Sequence, residues 1–312
     1  MSGSSFRAGA GRVTITPPLT VPHAGWGAQT HVFADGIETD LWATVLVLDD
    51  GRETAALVDL DLVIVTHAEA EAIRAAVARI LEIEPRAVRV SLTHNHAGPA
   101  PSDWDWAGNG RAAHKAYYGL LPDMVAGAAR IARANLRPAR VGVGTGESRV
   151  AVNRREIAPD GRPATGVNPN GLIDPQVLVV RIDGGDGSAL GAIVGYTMHP
   201  TTLGPTNRLM SADWPGHLKR TVEAMTGATC FFAQGSMCST VRKSVPTGRC
   251  GPCCSVAPTG KSTSVWGASA RASSRVSSCS NSRDGIVRFL LVRRQASSTP
   301  PGVSPSEADQ DS

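Results

Sequence analysis

A chain of 312 residues has room for one large domain or two ordinary ones, and its 42% hydrophobic content is that of a folded globular protein. No apolar run approaches the roughly 20 residues that span a bilayer, and the first twelve residues are polar and glycine-rich, so the expectation is a cytoplasmic protein with no transmembrane segment. The net charge of +4 averages two unlike parts: residues 1–236 hold 21 Lys+Arg against 23 Asp+Glu, and residues 237–312 hold 10 against 4.

Taken in order, Arg12 to Thr16 reads as a first strand stopped by Pro17-Pro18. Residues 20–40 follow as a glycine-containing loop with His23, Trp26, Gln29 and His31. Ala43–Leu48 and Ala55–Val65 read as a hairpin around the Asp49-Asp50-Gly51-Arg52 turn. The second strand carries Asp59 and Asp61 inside an apolar run, where carboxylates are costly unless paired or placed at a strand end. His67–Leu81 is an amphipathic helix with Ile73, Val77, Ile80 and Leu81 on one face.

Ala87–Leu92 is a short buried strand, and Thr93-His94-Asn95-His96-Ala97-Gly98-Pro99 follows it. Two histidines two apart project from one face where the backbone stays extended. Such a pair suits a metal or acid/base site; it equally suits hydrogen-bonded loop histidines. A long alanine-rich helix is expected from about Arg111 to Asn135, and strands at Val141–Val143, Val177–Ile182 and Ala192–Tyr196. His199-Pro200-Thr201 lies just past the last of these, which puts two histidine-bearing loops at strand ends, where open α/β sheets bind ligands. Ser211-Ala212-Asp213 offers cap chemistry for a helix from about Trp214 to Met225, and Thr229–Ala233 is a last buried strand. The pattern is α/β, with mixed β-sheets and flanking helices.

These pieces, in this order, resemble the N-terminal catalytic domain of the neutral/alkaline non-lysosomal ceramidases, over about residues 7–236. The motifs are Gly11-Arg12-Val13-Thr14-Ile15-Thr16-Pro17, Leu60-Asp61-Leu62, the 93–99 loop, Asn153-Arg154-Arg155, Asn168-Pro169, Asp174, His199-Pro200-Thr201, Ser211-Ala212-Asp213 and Phe232-Ala233-Gln234-Gly235-Ser236. The resemblance implies a zinc-dependent hydrolase acting on a non-peptide amide bond of a small-molecule or lipid-like substrate. It places Zn2+ ligands at His94 and His199 and sets His96 beside them as a hydrogen-bonding or acid/base group. Asp61 and Asp213 would orient the histidines, Asp213 alternatively being a plain helix cap. Asn153 and Arg154 would contact an anionic or carbonyl group of the substrate, or alternatively sit in a solvated turn.

The family pattern continues Gln-Gly-x-x-Gly-Asp-Val, with a serine nucleophile close behind and a glutamate and a tyrosine ligand much further on. This chain instead reads Gln234-Gly235-Ser236-Met237-Cys238-Ser239-Thr240. Residues 237–312 hold 17 serines and five of the six cysteines, with little apolar periodicity. A −1 reading of the codons turns Met237-Cys238 into valine, because methionine has a single codon, and allows Asp-Val-Gln-His-Arg-Pro-Glu. That points to a frameshift near Ser236 and a disordered, out-of-frame tail. Cys250-Gly251-Pro252-Cys253 then only imitates a redox centre, and Gly260-Lys261-Ser262-Thr263 a phosphate loop that lacks its first glycine. No specific nucleic-acid partner is expected, since the tail's charge has no interleaved aromatics. The alternatives are a non-catalytic remnant that at most binds metal, or a basic-tailed interaction protein.

Overall fold

A computed structural model describes residues 6–23, 25–101 and 110–241. Its strands are β1 (Arg7–Thr14), β2 (Gly36–Ile37), β3 (Trp42–Asp49), β4 (Thr54–Leu60), β5 (Val88–Leu92), β6 (Arg137–Glu147), β7 (Ala151–Ile157), β8 (Pro163–Asn168), β9 (Gln176–Gly184), β10 (Ala189–Met198), β11 (Leu209–Met210) and β12 (Thr229–Val241). The helices are α1 (His67–Leu81), α2 (Arg111–Ala134) and α3 (Asp213–Thr226). Ten strands join in the order β5-β4-β3-β1-β6-β9-β10-β12-β7-β8, and β11 pairs with β2 alone. In the large sheet, β4–β5 and β10–β12 are parallel and the other pairs antiparallel, which is the mixed α/β architecture the sequence predicts.

Each parallel pair is a crossover unit with a helix in its connection, α1 between β4 and β5 and α3 between β10 and β12. The helix α1 starts on a capping box: Thr66 Oγ1 accepts from Glu69 N at 3.2 Å, and Glu69 Oε2 accepts from Thr66 N at 2.7 Å. It buries Ile73, Val77 and Leu81. Its partner α2 lies directly on β1, because a Cβ at Gly9 or Gly11 would run into the backbone of Ala132 or Ala128. Between these helices and β1, β3, β4 and β5 sits the main core, including Leu41, Val45, Val58, Leu60, Leu121 and Val125.

The sheet joins its two halves through only two residue pairs, Arg7–Pro138 and Ala8–Arg137. It folds there, and β12 comes to lie against β4 and β5. Phe232 N donates to Asp59 Oδ2 at 3.0 Å across that contact, and Leu46, Ile182 and Phe231 fill the space between the halves. The two histidine-bearing strand ends therefore meet by folding of the sheet rather than along one edge.

Several boundaries differ from the sequence reading. The strand expected to run to Val65 stops at Leu60, because the carbonyls of Leu60 and Leu62 turn to accept Thr93 N and His94 N, both at 2.9 Å. The β7–β8 hairpin is additional; its first strand is the polar run Ala151-Val152-Asn153-Arg154-Arg155-Glu156-Ile157, without apolar alternation. The last strand passes the composition change at Ser236 and pairs Ser239–Val241 with Ala151–Asn153. The disordered tail expected over 237–312 falls, from residue 242 onward, outside the described residues, as do the cysteine and glycine-lysine motifs within it. No helix among the described residues is long and apolar enough to cross a membrane.

Candidate metal centre

The first histidine loop is built on the backbone of the β4 exit. Thr93 N and His94 N donate to Leu60 O and Leu62 O, and His94 Nδ1 donates to Val63 O at 2.8 Å. His94 itself sits at φ +59, a left-handed conformation that costs a non-glycine residue energy and persists only where the surroundings enforce it. Two residues on, His96 Nδ1 donates to Gly25 O at 2.7 Å, and the Trp26 ring packs on its imidazole at 4.8 Å. His199, immediately after β10, completes the group. Ligating atoms of His94, His96 and His199 all lie within 4.8 Å of one another, and the Nε2 atoms of His96 and His199 are 3.0 Å apart.

The hydrogen-bond partners fix the tautomers. A carbonyl only accepts, so His94 and His96 carry their proton on Nδ1 and turn the Nε2 lone pair inward, as metal-binding histidines do. A guanidinium only donates, so Arg154 Nη1, 2.7 Å from His199 Nδ1, makes that nitrogen an acceptor and leaves the His199 proton on Nε2, facing His96. Burial pushes the His94 imidazolium pKa below its usual range, with Arg154 adding to the effect. For His199, burial acts first, then His96, Arg154 and His94, taking it to about 2. His94 and His96 already turn Nε2 lone pairs toward the centre, and His199 would do so once Arg154 releases Nδ1 to take its proton; the nitrogen separations run from 3.0 Å to at most 4.8 Å, around the roughly 3.3 Å of tetrahedral zinc–nitrogen bonding. Such a group of imidazoles could hold a metal ion.

Of the other expected residues, Arg154 reaches the cluster and Asn153 does not. Neighbours on a strand face opposite ways, and Asn153 Nδ2 instead donates to Leu172 O at 2.7 Å. Asp61 does not touch a histidine. It is fully buried, and its carboxylate accepts from Lys219 Nζ at 2.6 Å and from Trp42 N at 3.0 Å. Asp213 likewise holds no imidazole, so the direct orienting role expected of both carboxylates is not what their contacts provide. Nor does Asp213 act as the residue before the helix; Ala212 occupies that place, and Asp213 is the first helical residue, at φ +51. Its carboxylate accepts from Thr202 Oγ1, from Leu203 N at 3.2 Å and from Trp214 N at 2.6 Å, and so pins the loop that carries His199.

Three contributors escape sequence reasoning. Gly25 and Trp26 have no signal beyond their place in a glycine-containing loop. Lys219 had an indirect one: two carboxylates inside an apolar strand require a cation, but nothing in the sequence says which.

The Neutral/alkaline non-lysosomal ceramidase, N-terminal, family model matches residues 6–275. A neutral ceramidase of Pseudomonas aeruginosa is 26% identical over 251 residues, covering 73% of this chain and 36% of that protein. A solved structure described as a ceramidase complexed with C2 superposes with a TM-score of 0.60 at 23% identity, over 76% of this chain and 38% of the other. The crystal structure of the neutral ceramidase from Pseudomonas aeruginosa gives 0.59 at 23% identity, over 78% and 41%. The chain thus spans well under half the length of the relatives it matches. A family match over most of the sequence, with a shared fold beneath it, settles the kinship: this chain belongs to the neutral/alkaline non-lysosomal ceramidase family, matching its N-terminal part.

Proposed function

We propose that this chain is built as a metal-dependent hydrolase of a non-peptide amide bond, its substrate a small or lipid-like amide. The observation that carries the reading is the convergence of His94, His96 and His199 just past the ends of β5 and β10, in a chain of this family. His94 and His199 hold the ion, and His96 stands beside them. Zinc bound there supplies Lewis-acid polarisation and lowers the pKa of water toward neutrality. His96, its Nδ1–H fixed on Gly25 O, offers Nε2 to take a proton from the attacking water and return it to the leaving amine. Arg154, on the rim of the cluster, receives the carbonyl or an anionic group of the substrate.

The departure at Gln234-Gly235-Ser236-Met237 and the serine-rich composition beyond it support a changed reading frame and an impaired chain, with the domain ending near Ser236. The family match extends to residue 275, so the frame has its own test: the gene is resequenced across the codons for Ser236 and Met237, and a sequence with no possible shift there withdraws the frame reading alone. For the site, zinc stoichiometry after dialysis is compared between the wild type and His94→Ala. Wild type should retain zinc that the variant loses; equal retention removes His94 from the site. Amide hydrolysis by the chain as given should be far slower than by a frame-corrected chain. If neither version turns over an amide while zinc is still held, the reading that remains is a metal-binding remnant.

A further inference from the structure

Away from the histidines, a second buried cluster of charge has no part in the chemistry above. Lys219 lies on α3 with 4% of its surface exposed, and its Nζ donates to Asp61 Oδ1 at 2.6 Å and to Asp59 Oδ2 at 3.2 Å. Asp59 is 3% exposed and Asp61 not at all. Two carboxylates face one ammonium, and among the described residues Asp59 Oδ1 has no hydrogen-bond partner. Burying such a group carries a large desolvation cost for each ion, and apolar replacements of the same volume often stabilise a fold as well or better. The cluster is therefore a poor device for stability, and its position suggests what it does.

Asp61 is the middle of the Leu60–Val63 shelf on which His94 rests. The shelf's carbonyls take Thr93 N, His94 N and His94 Nδ1. Asp61 ties that shelf to β3 by its own N donating to Trp42 O and by Trp42 N donating back to its carboxylate, both at 3.0 Å. Lys219 then fastens it to α3. Six residues earlier, about 9 Å along the same helix, Asp213 holds Thr202 and Leu203 of the other histidine loop, and Trp214 Nε1 donates to His199 O at 3.4 Å. One short, rigid helix thus grips both loops. We infer that Lys219, clasped by Asp61 and Asp59, is a positioning residue that sets the spacing of His94 against His199 through α3. This rests on the metal reading above for its consequence, though not for its geometry.

Two readouts separate the clasp from a merely structural role. In the metal-free protein, long-range nitrogen–proton spectra of the histidines should show His94 as a single Nδ1–H tautomer in the wild type and as a mixture in Asp61→Asn and Lys219→Met. Competition against a chelator should show zinc held about tenfold or more weakly in those two variants. Asp59→Asn, which leaves the Lys219–Asp61 bond in place, should stay within about threefold of wild type. Lys219→Met strands two buried carboxylates and is prone to misfold; Asp61→Asn keeps the acceptor for Trp42 N and leaves Lys219 with Asp59, so it carries the test alone if needed. Lowered thermal stability with an unchanged His94 tautomer and unchanged zinc affinity in Asp61→Asn overturns the clasp. A wild type that takes up no zinc, but whose His94 tautomer still responds to Asp61→Asn, sinks the metal reading and keeps the clasp.

Discussion

The two halves of the folded sheet are built differently. β5, β4, β3 and β1 are roofed by α1 and α2, and their core residues are sealed. The other half is thinly covered among the described residues, with Ile157 70% and Leu172 90% exposed. The first half carries two helices over its sheet; the second has α3 alone against β12, and that helix's first residue, Asp213, holds the His199 loop by hydrogen bonds. His94 and His96 belong to the first half, His199 and Arg154 to the second. The candidate metal centre straddles the seam, so its geometry depends on what holds the halves together.

The sharpest way to break this comparison is truncation on each side. Leu121, on the inner face of α2, is fully buried, and Leu121→Ala should cost roughly 2–5 kcal/mol through lost burial and a cavity. Ile157→Ala, in the exposed hairpin, should stay within about 0.5 kcal/mol. Urea denaturation with matched slopes measures both. Similar losses would mean that the second half is as well packed as the first, and the contrast would be wrong.

The same contrast marks what the sequence could and could not reveal. The helix α1 was legible to the residue, because its apolar spacing and its Thr66 start are local signals. The histidine loops were legible as loops past strands, since an apolar run followed by His-x-His needs no distant partner. The β7–β8 hairpin was not, because a run such as Asn153-Arg154-Arg155-Glu156 becomes a strand only when β12 arrives to pair with it. The separation of Arg154 from Asn153 was likewise hidden: strand alternation sends one to His199 and the other to Leu172, and no strand was expected there. Lys219 is the plainest case. Its helix position reads as a polar surface site, and burial beside Asp59 and Asp61 follows only from how the two halves fold together.

Acid should loosen the 93–99 loop through His23, a change comparable to the smaller core truncations. His23 is fully buried; its Nε2 donates to Ala97 O at 3.2 Å, inside the 93–99 loop, and its Nδ1 accepts from His31 at 2.9 Å. Burial first, and His31 next, lower its pKa from 6.5 to about 4. A histidine held neutral in the fold binds fewer protons than in the unfolded chain, so its contribution is intact above pH 6.5 and is lost as pH falls through about 4. The loss approaches about 3 kcal/mol at full protonation. Unfolding free energy measured from pH 7 to pH 4 should fall with a steeper slope in wild type than in His23→Gln, whatever the variant's stability at neutral pH. Parallel slopes would show that His23 is not the group being titrated.

The smallest expected effect concerns Arg154, and its sign sharpens the comparison because it is a gain. In the wild type the guanidinium donates to His199 Nδ1 and so parks the His199 proton on Nε2, the nitrogen that faces His94 and His96. A neutral imidazole has one lone pair, and Arg154 occupies it. For His199 to present Nε2 to a cation, Arg154 must let go, and its positive charge close by opposes the ion as well. Arg154→Met keeps much of the side chain's bulk and removes both obstacles. Zinc should then bind about tenfold more tightly, close to 1.4 kcal/mol, while amide hydrolysis by a frame-corrected chain falls for want of the group that meets the substrate. The same substitution at Asn153, whose side chain is spent on Leu172, should leave zinc affinity where it was. Weaker zinc binding in Arg154→Met would mean that Arg154 supports the His199 ring rather than competing for it. The thin half of the sheet would then contribute order to the centre, not a restraint to be released.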